Sequence, residues 1–180
     1  MTTIAFYKPF NVVCQFSGEG ETLSNFGLPP KVYAAGRLDK DSEGLLILTD
    51  DGAFNQRITH PKMEKSKIYH IQVEGIPSEA SLKKMQKGLI IQDYITKPCQ
   101  VKLIADPGHP PRNPPIRERK NIPTSWLEVI LTEGKNRQVR RMSAAIGHPT
   151  LRLIRYQVGK LELKNLTPGQ WREVNPKDIV

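Results

Sequence analysis

The chain has 180 residues, enough to bury a hydrophobic core as one domain or as two small lobes. Its composition, 38% hydrophobic and 25% charged, is typical of a soluble globular protein, and no apolar run approaches the roughly 18 residues that a membrane span needs. The net charge of +9 favours a polyanionic partner such as a nucleic acid, although a basic surface without such a partner has the same composition.

The first predicted elements are strands around a charged segment. Residues 3–13 ("TIAFYKPFNVV") predict a strand broken at Pro9, because proline cannot donate to a β-ladder. Residues 45–49 ("LLILT") form a continuous apolar run, which indicates a strand buried on both faces. Either Asp50 or Asp51 can then cap a short helix.

The middle of the chain alternates between strand and helix patterns. Residues 67–75 ("KIYHIQVEG") have the period of a half-exposed strand. One face holds Tyr69, Ile71 and Val73, and the other holds His70, Gln72 and Glu74. Ser78 predicts the N-cap of a helix over residues 79–89, where Leu82, Met85 and Leu89 recur at helical spacing. Residues 94–104 are again strand-like.

Six prolines interrupt the segment from Pro107 to Pro123, which predicts a long basic loop. Two interpretations stay open for this loop. It is either a disordered insertion without a role or a substrate-facing loop that presents its four cations, Arg112, Arg117, Arg119 and Lys120.

The last third begins with a strand at residues 125–134, followed by a helix over residues 136–147 that ends at Gly147. At 100° per residue, Val139, Met142 and Ile146 share the inward face of this helix. Arg137 and Arg141 point nearly opposite, with Arg140 on the flank. Residues 150–163 and 170–174 again predict strands, so the pattern is α+β.

Several kinds of active site lack support in the sequence. The four histidines are scattered, and none stands at a metal-ligand spacing to another histidine or to a cysteine. The two cysteines, Cys14 and Cys99, have no C-x-x-C partner, which favours a reducing cytoplasm over a disulfide scaffold. Neither G-x-S-x-G nor G-x-G-x-x-G follows a predicted strand.

What remains is Asp39, which lies beside Arg37 in a dense charge cluster before the buried strand. A neighbouring arginine keeps a partly buried carboxylate ionised, and an ionised, desolvated aspartate can act as a nucleophile or a base. The alternative is a structural aspartate in a turn or in a pair with Arg37, and composition alone favours that alternative.

A family resemblance changes this balance. "AAGRLDKDSEGLLILTDDG" resembles the signature of the RsuA-type pseudouridine synthases, in which G-R-L-D carries the single essential aspartate. "YKPFNVV" resembles the Lys-Pro motif of that family, "KIYHIQV" its Lys-x-Tyr strand, and "LTEGKNRQVRRM" its third motif. These segments run from Tyr7 to Met142 in the family's order.

The resemblance implies an α+β pseudouridine synthase fold, with a mixed, mainly antiparallel central sheet, surrounding helices and loops, and a central cleft. It implies an enzyme that converts a specific uridine of large-subunit (23S) ribosomal RNA to pseudouridine without metal or organic cofactor. Asp39 matches the essential aspartate, Arg140 the arginine that pairs with it, and Tyr69 the tyrosine that stacks on the target base. Arg37 matches a residue that fills the space left by the flipped base.

Many relatives carry an S4-type RNA-binding domain before the catalytic domain, whereas the Lys-Pro motif here begins near Met1. We therefore expect a single catalytic domain over residues 1–180, a cytoplasmic monomer with no obligate protein partner and no membrane association. RNA would be bound by Arg37 together with Lys135, Arg137 and Arg141. Two rival functions remain, a non-catalytic rRNA-binding module or degenerate relative, and a phosphodiesterase that uses Asp39 with a metal.

Overall fold

The computed structural model describes all 180 residues, Met1–Val180. The strands are β1 (Thr3–Lys8), β2 (Tyr33–Ala34), β3 (Glu43–Thr49), β4 (Lys67–Glu74), β5 (Ile90–Ile91), β6 (Tyr94–Ile95), β7 (Gln100–Ile104), β8 (Thr124–Leu131), β9 (Thr150–Val158), β10 (Leu161–Glu162) and β11 (Trp171–Glu173). The α-helices are α1 (Gly52–Thr59), α2 (Glu79–Lys87) and α3 (Gln138–Ala145), and short 3-10 helices cover Leu23–Phe26, Pro61–Met63 and Pro176–Asp178.

The chain folds into two compact units. The first unit comprises Met1–Lys65 and Ile154–Val180, and the second comprises Ser66–Leu153. Strand β9 starts in the second unit and continues into the first at Ile154. Each unit has its own hydrophobic core, one around Phe6 and Leu46 and the other around Ile71 and Met142.

In the first unit, β1 lies between β11 and β3 and is antiparallel to both. Strand β3 also pairs with β2 in antiparallel fashion and with β9 in parallel, where Glu43 is opposite Ile154. All seven residues of β3 are buried, which confirms the predicted strand with two covered faces. The sheet is therefore mixed and mainly antiparallel, as predicted.

Gly44 permits the parallel pairing of β3 with β9. Its φ of +110° lies in a region that L-residues rarely adopt. A Cβ atom at this position would lie 2.4 Å from the backbone oxygen of Arg155 and 2.7 Å from its nitrogen. No larger residue fits, because the obstructing atoms are backbone atoms of the neighbouring strand.

Helix α1 follows β3 after a short polar turn. The Asp51 carboxylate accepts a hydrogen bond from the Phe54 amide at 3.1 Å, which identifies Asp51 as the N-cap. Phe54 and Ile58 are the buried residues of this helix. The predicted cap and helix are confirmed.

In the second unit, β8 lies between β4 and β7 and is antiparallel to both. On β4, Ile71 and Val73 are buried and Tyr69 packs against the core, as the alternation predicts. The expectation that His70 lies on a solvated face is wrong, because only 6% of its surface is exposed. Its imidazole is covered by His109 and Glu128, which hydrogen-bond its two ring nitrogens at 2.7 and 3.1 Å.

Both predicted helices of the second unit are present, but they begin or end at other residues than predicted. Ser78 caps α2 through a hydrogen bond from the Ser81 amide at 3.2 Å, as predicted. The helix ends at Lys87, so Leu89 packs against the core from the following segment instead of from the helix. Helix α3 begins at Gln138, and Gly147 follows its C-cap residue with a φ of +85°.

The first part of the proline-rich loop is bound to the second unit at several points. The Arg112 guanidinium donates to the carbonyls of Pro114, Pro115 and Leu151 at 2.8 to 3.1 Å. Arg152, which is buried, donates to the carbonyl of Pro110 at 2.5 Å. Hydrogen bonds therefore fix residues 110–115, which argues against a disordered insertion in this part of the loop, and Arg112 is a structural cation there.

None of the three α-helices combines the length and the apolar character that crossing a bilayer requires.

Candidate active site

Asp39 lies on the loop of residues 36–42, directly before β3. Its neighbour Leu38 is buried in the first unit's core, and the Ser42 amide donates to the Asp39 carbonyl at 3.0 Å. The Asp39 side chain is half-buried, whereas Arg37 is exposed. The loop thus has one apolar anchor, and its backbone turn holds the aspartate at the start of a fully buried strand.

A buried ammonium group organises this loop. Lys8 has no exposed surface, and its Nζ donates to the carbonyls of Pro9 and Val12 at 2.8 Å and of Lys40 at 3.4 Å. The Asn11 amide donates to the same Lys40 carbonyl at 2.8 Å. We call Lys8 and these three carbonyls the Lys8 hub. Because Lys40 directly follows Asp39, the hub fixes the backbone beside the predicted catalytic carboxylate.

The charge of the Lys8 hub is set by two opposing effects. Burial lowers the pKa of Lys8 from 10.5 to about 8, although the nearby charges of Cys14, Glu43, Asp41 and Asp39 oppose this shift. Lys8 therefore keeps substantial positive charge near neutral pH in a segment rich in carboxylates. Nothing in the sequence pointed strongly to this role, because a lysine before proline is common outside any site.

Two further buried charged residues lie at the start of β3, one on β3 itself and one on the paired strand β9. Glu43 is 2% exposed and Arg155 is 7% exposed. Arg155 Nε donates to the carbonyl of Leu45 at 2.9 Å, beside the close approach at Gly44. Buried ionic groups of this kind require fixed partners, so the backbone at the head of β3 is held by side chains as well as by the ladder.

Tyr69 belongs to β4 in the second unit. It is opposite Val129 of β8 and is half-buried against the core of this unit. The position is compatible with a core tyrosine and with a partly exposed ring that contacts a base, the two roles considered for this residue. Its function as a site residue stays a prediction.

Three of the four predicted RNA-binding cations, Lys135, Arg137 and Arg141, lie at or near the start of α3. Arg137 is exposed and occupies the N-cap in a left-handed conformation, with φ of +51°. Lys135 is exposed, and its Nζ lies 4.5 Å from the centre of the Tyr94 ring. Arg141 is half-buried and donates to the Asn136 carbonyl at 3.1 Å. Arg137 and Lys135 thus face solvent more freely than Arg141.

Arg140 lies on the first turn of α3 and is half-buried, on a flank between the buried residues Val139 and Met142 and the exposed residue Ala144. This matches the flank position that the helical periodicity predicts. The neighbouring Gln138 is 3% exposed and belongs to the network that holds this turn.

A carboxylate fixes the segment before α3. Glu133 accepts hydrogen bonds from the Tyr94 hydroxyl, from the Lys97 amide at 2.7 Å and from Gln138 Nε2 at 2.8 Å. Gln138 Oε1 in turn accepts from the Lys135 amide at 3.1 Å. We call Glu133 and its three donors the Glu133 hub. Burial raises the pKa of Glu133, but these hydrogen bonds outweigh burial and lower the pKa overall.

The predicted site residues are divided between the two units. Asp39 and Arg37 share one loop of the first unit, whereas Arg140, Arg137, Arg141 and Lys135 share the start of α3 in the second. The pairing of Asp39 with Arg140 stays a prediction. Sequence reasoning missed Lys8 and Glu133 as organising residues, although both stand inside the quoted motifs.

The structure contains no group of three or more His, Cys, Asp or Glu side chains that could hold a metal ion. The two histidines that do meet, His70 and His109, contact each other and not a common centre.

Comparison with known proteins decides the family. Residues 2–145 match the family model described as RNA pseudouridylate synthase. The chain belongs to this family. The matched region includes all the predicted site residues, from Arg37 to Arg141.

Two curated relatives extend the match over most of the chain. The chain is 51% identical over 174 residues to "Ribosomal large subunit pseudouridine synthase E" of Vibrio vulnificus, covering 96% of the chain and 74% of that protein. It is 52% identical over 170 residues to the protein of the same name from Xanthomonas campestris pv. campestris, covering 92% and 91%. These comparisons support an rRNA pseudouridine synthase.

A solved structure confirms the fold. The structure named "Crystal structure of pseudouridylate synthase" superimposes with a TM-score of 0.81 at 28% identity, covering 99% of the chain and 72% of that protein. The pseudouridine synthase fold implied by the motifs is therefore confirmed.

Proposed function

We propose that the protein isomerises a specific uridine of 23S rRNA, in the large ribosomal subunit, to pseudouridine. The observation that carries this proposal is a half-buried Asp39 held beside the Lys8 hub, at the G-R-L-D position of a chain that belongs to the RNA pseudouridylate synthase family. Relatives about half identical to this chain are named for the large ribosomal subunit.

The reaction rearranges one nucleotide without adding or removing atoms. The N1–C1′ glycosidic bond breaks, the uracil turns, and C5 bonds to C1′. The proton on C5 is lost while N1 gains one. Asp39 is the single group we assign to initiate this sequence, either as a nucleophile or as the base that removes a proton. The Lys8 ammonium interacts favourably with the charges of Asp39, Asp41 and Glu43.

Arg140 and Tyr69 complete the proposed catalytic group. Arg140 is assigned to pair with Asp39, and Tyr69 to stack on the target base and assist proton transfer. Replacing Tyr69 with Phe keeps the ring and removes only the hydroxyl, so slower turnover would assign chemistry to that hydroxyl. A fully active Tyr69→Phe variant would leave the residue with packing or stacking alone.

The substrate base must leave its stack to reach Asp39, which costs about a few kcal/mol. We assign Arg37 to fill the space that the base leaves, because a planar guanidinium can stack on the neighbouring bases and contact phosphate. Its exposed position on the Asp39 loop suits this role. Lys135, Arg137 and Arg141 are assigned to RNA phosphates.

We further propose that residues 1–180 act as one catalytic domain in the cytoplasm, as a monomer without an obligate protein partner. Gel filtration with light scattering would test the oligomeric state.

The deciding experiment is detection of pseudouridine in 23S rRNA after incubation with the purified protein, with Asp39→Asn as the matched control. We expect product with the parent and none with the variant, at equal RNA affinity. A parent that binds rRNA without forming pseudouridine would instead support the rival non-catalytic rRNA-binding module. Variant turnover within tenfold of the parent would overturn the assignment of Asp39.

A further inference from the structure

Strands β5 and β6 form a small hairpin in the second unit, separate from the main ladders. Ile90 is opposite Ile95, and Ile91 is opposite Tyr94, so the intervening turn is Gln92–Asp93. Ile91 is buried and Tyr94 packs against the core of the second unit. Because side chains alternate along a strand, the Ile90–Ile95 pair lies on the opposite, outer face.

This outer face is apolar and open. Ile90 is 73% exposed and Ile95 is 69% exposed, the two most exposed isoleucines of the chain. A single exposed apolar residue is ordinary on a protein surface. Here the two side chains are direct cross-strand neighbours, a spacing of about 5 Å between Cβ atoms, so they form one continuous apolar surface.

The hairpin is attached to the segment that carries the predicted RNA-binding cations. In the amide orientation that satisfies both groups, Gln92 Oε1 accepts from Arg141 Nη1 at 2.8 Å and from Nη2 at 3.3 Å. Lys135 lies over the Tyr94 ring, and Tyr94 belongs to the Glu133 hub. The hairpin and the start of α3 are thus connected at both the turn and the strand.

The charges around the hairpin are almost all positive. Between residues 83 and 97 the cations are Lys83, Lys84, Lys87 and Lys97, all exposed, against one acid, Asp93. The attached segment adds Lys135, Arg137, Arg140 and Arg141, and its one acid, Glu133, is used by its three donors. An apolar surface on a hairpin whose flanking and attached segments carry these cations complements a ligand with apolar faces and an anionic backbone.

We propose that the outer face of the β5–β6 hairpin is a second RNA-contact surface, on which Ile90 and Ile95 support unstacked bases of a single-stranded segment. The proposal rests on the RNA substrate assigned above. Aliphatic side chains serve as wedges against base steps in nucleic-acid complexes, and sequence-specific RNA recognition targets unstacked bases. Nearby lysines would neutralise the phosphates of the same segment.

The surroundings favour RNA over a protein partner. Protein interfaces of standard size bury about 800 Å² per partner, and lysine is depleted in their centres. The hairpin offers two exposed isoleucines between Lys87 and Lys97 in the sequence, which fits a nucleic acid strand better.

The test uses the double variant Ile90→Thr/Ile95→Thr, which keeps β-branched residues but removes apolar surface. The matched control is Ile76→Thr/Leu103→Thr, two other exposed aliphatic residues of the second unit. We measure Kd for a 23S rRNA fragment by fluorescence anisotropy at several salt concentrations, together with the melting temperature and pseudouridine formation. For the hairpin variant we expect a Kd raised roughly tenfold with an unchanged salt slope, since no phosphate contact is removed.

The outcomes separate this proposal from the proposed function. An unchanged Kd in the hairpin variant, or an equal loss in the control, overturns the RNA-contact surface even when the parent forms pseudouridine. If only the hairpin variant loses affinity and the parent forms no pseudouridine, the RNA-contact surface is supported and the proposed function is overturned. A parent that binds no RNA overturns both.

Discussion

The first unit fixes its Asp39 loop with a buried cation, whereas the second unit fixes the segment before α3 with a half-buried carboxylate. Lys8 donates to three backbone carbonyls, and Glu133 accepts from a hydroxyl, an amide N–H and a side-chain amide. The Lys8 ammonium has the charge opposite to that of Asp39, and the Glu133 carboxylate has the charge opposite to that of Arg140 on the helix that follows it. Each unit therefore fixes the segment that carries its predicted site residues with its own polar groups.

The two hubs also differ in their exposure to water. Lys8 has no exposed surface, but Glu133 is half-buried. An unsatisfied polar group costs more in a dry interior than near solvent. Removing Lys8 should therefore destabilise the protein more than removing Glu133.

The largest effect is expected from changes to the predicted catalytic residues Arg140 and Asp39. On the proposed pairing, Arg140→Met should abolish most activity and cost about 3–5 kcal/mol of unfolding free energy, because Asp39 would lose its proposed partner. Adding Asp39→Asn should restore part of that stability, as measured by urea denaturation. If the urea midpoint of the double variant is no higher than that of Arg140→Met, the two residues do not pair and the two hubs support separate sites.

Lys8→Met should lower the unfolding free energy by about 3 kcal/mol, because at least the Val12 and Pro9 carbonyls lose a donor at 2.8 Å. Lys40→Met is the matched control, since Lys40 is an exposed lysine of the same loop and its removal should cost less than about 0.5 kcal/mol. Equal urea midpoints for the two variants would show that the Lys8 hub does not stabilise the first unit.

The Lys8 hub should also give an alkaline pH dependence. The pKa of Lys8 is about 8 in the folded protein and 10.5 in the unfolded chain. Between these values the unfolded chain binds more protons, so the stability of the parent should rise with pH relative to Lys8→Met, by on the order of 3 kcal/mol in total. Parallel stability curves for parent and variant between pH 8 and 10.5 would contradict the lowered pKa.

Glu133→Gln should cost less, about 1–2 kcal/mol, by replacing charge-assisted hydrogen bonds with neutral ones. The folded pKa of Glu133 is lowered, so its contribution is present above the unfolded pKa near 4.5 and is lost as the pH falls through the folded value. The difference between parent and variant should therefore shrink below pH 4.5, the opposite end from Lys8. Glu118→Gln, at an exposed glutamate, is the control and should show no such difference.

The smallest expected effects come from changing Arg137 and Arg141, two cations of the second unit. Arg137→Gln should flatten the plot of log affinity against log salt by about 0.7 without moving the melting temperature, because Arg137 is exposed. Arg141→Gln should lower the melting temperature slightly as well, since Arg141 binds Asn136 and Gln92. An unchanged slope in Arg137→Gln would remove this residue from the RNA interface.

Local patterns in the sequence predicted much of the fold. The apolar run of β3, the Asp51 and Ser78 caps and the inward face of α3 follow from spacing and side-chain chemistry within a few residues. The essential aspartate followed only from the G-R-L-D resemblance, since an aspartate in a turn is usually structural.

The hubs could not be predicted, because their partners are distant in the sequence. Lys8 meets Lys40, Glu133 meets Tyr94, and His70 meets His109, each pair separated by more than 30 residues. Periodicity indicates which face of an element is buried. It carries no information on which remote polar group forms hydrogen bonds with the side chains of the element. His70 was misassigned for this reason.

The division of β9 between the two units implies an order in which the units can fold during synthesis. Residues 66–153 are continuous in sequence, so the second unit can form while the rest of the chain is still being synthesised. The first unit needs the parallel partner of β3 and strand β11, which pairs with β1, and both lie after residue 153. At about 5–20 residues per second, its early strands wait on the order of ten seconds for these partners. During that interval β1 and β3 expose apolar surface at the ribosome, so the half that carries Asp39 is the one that depends on nascent-chain protection.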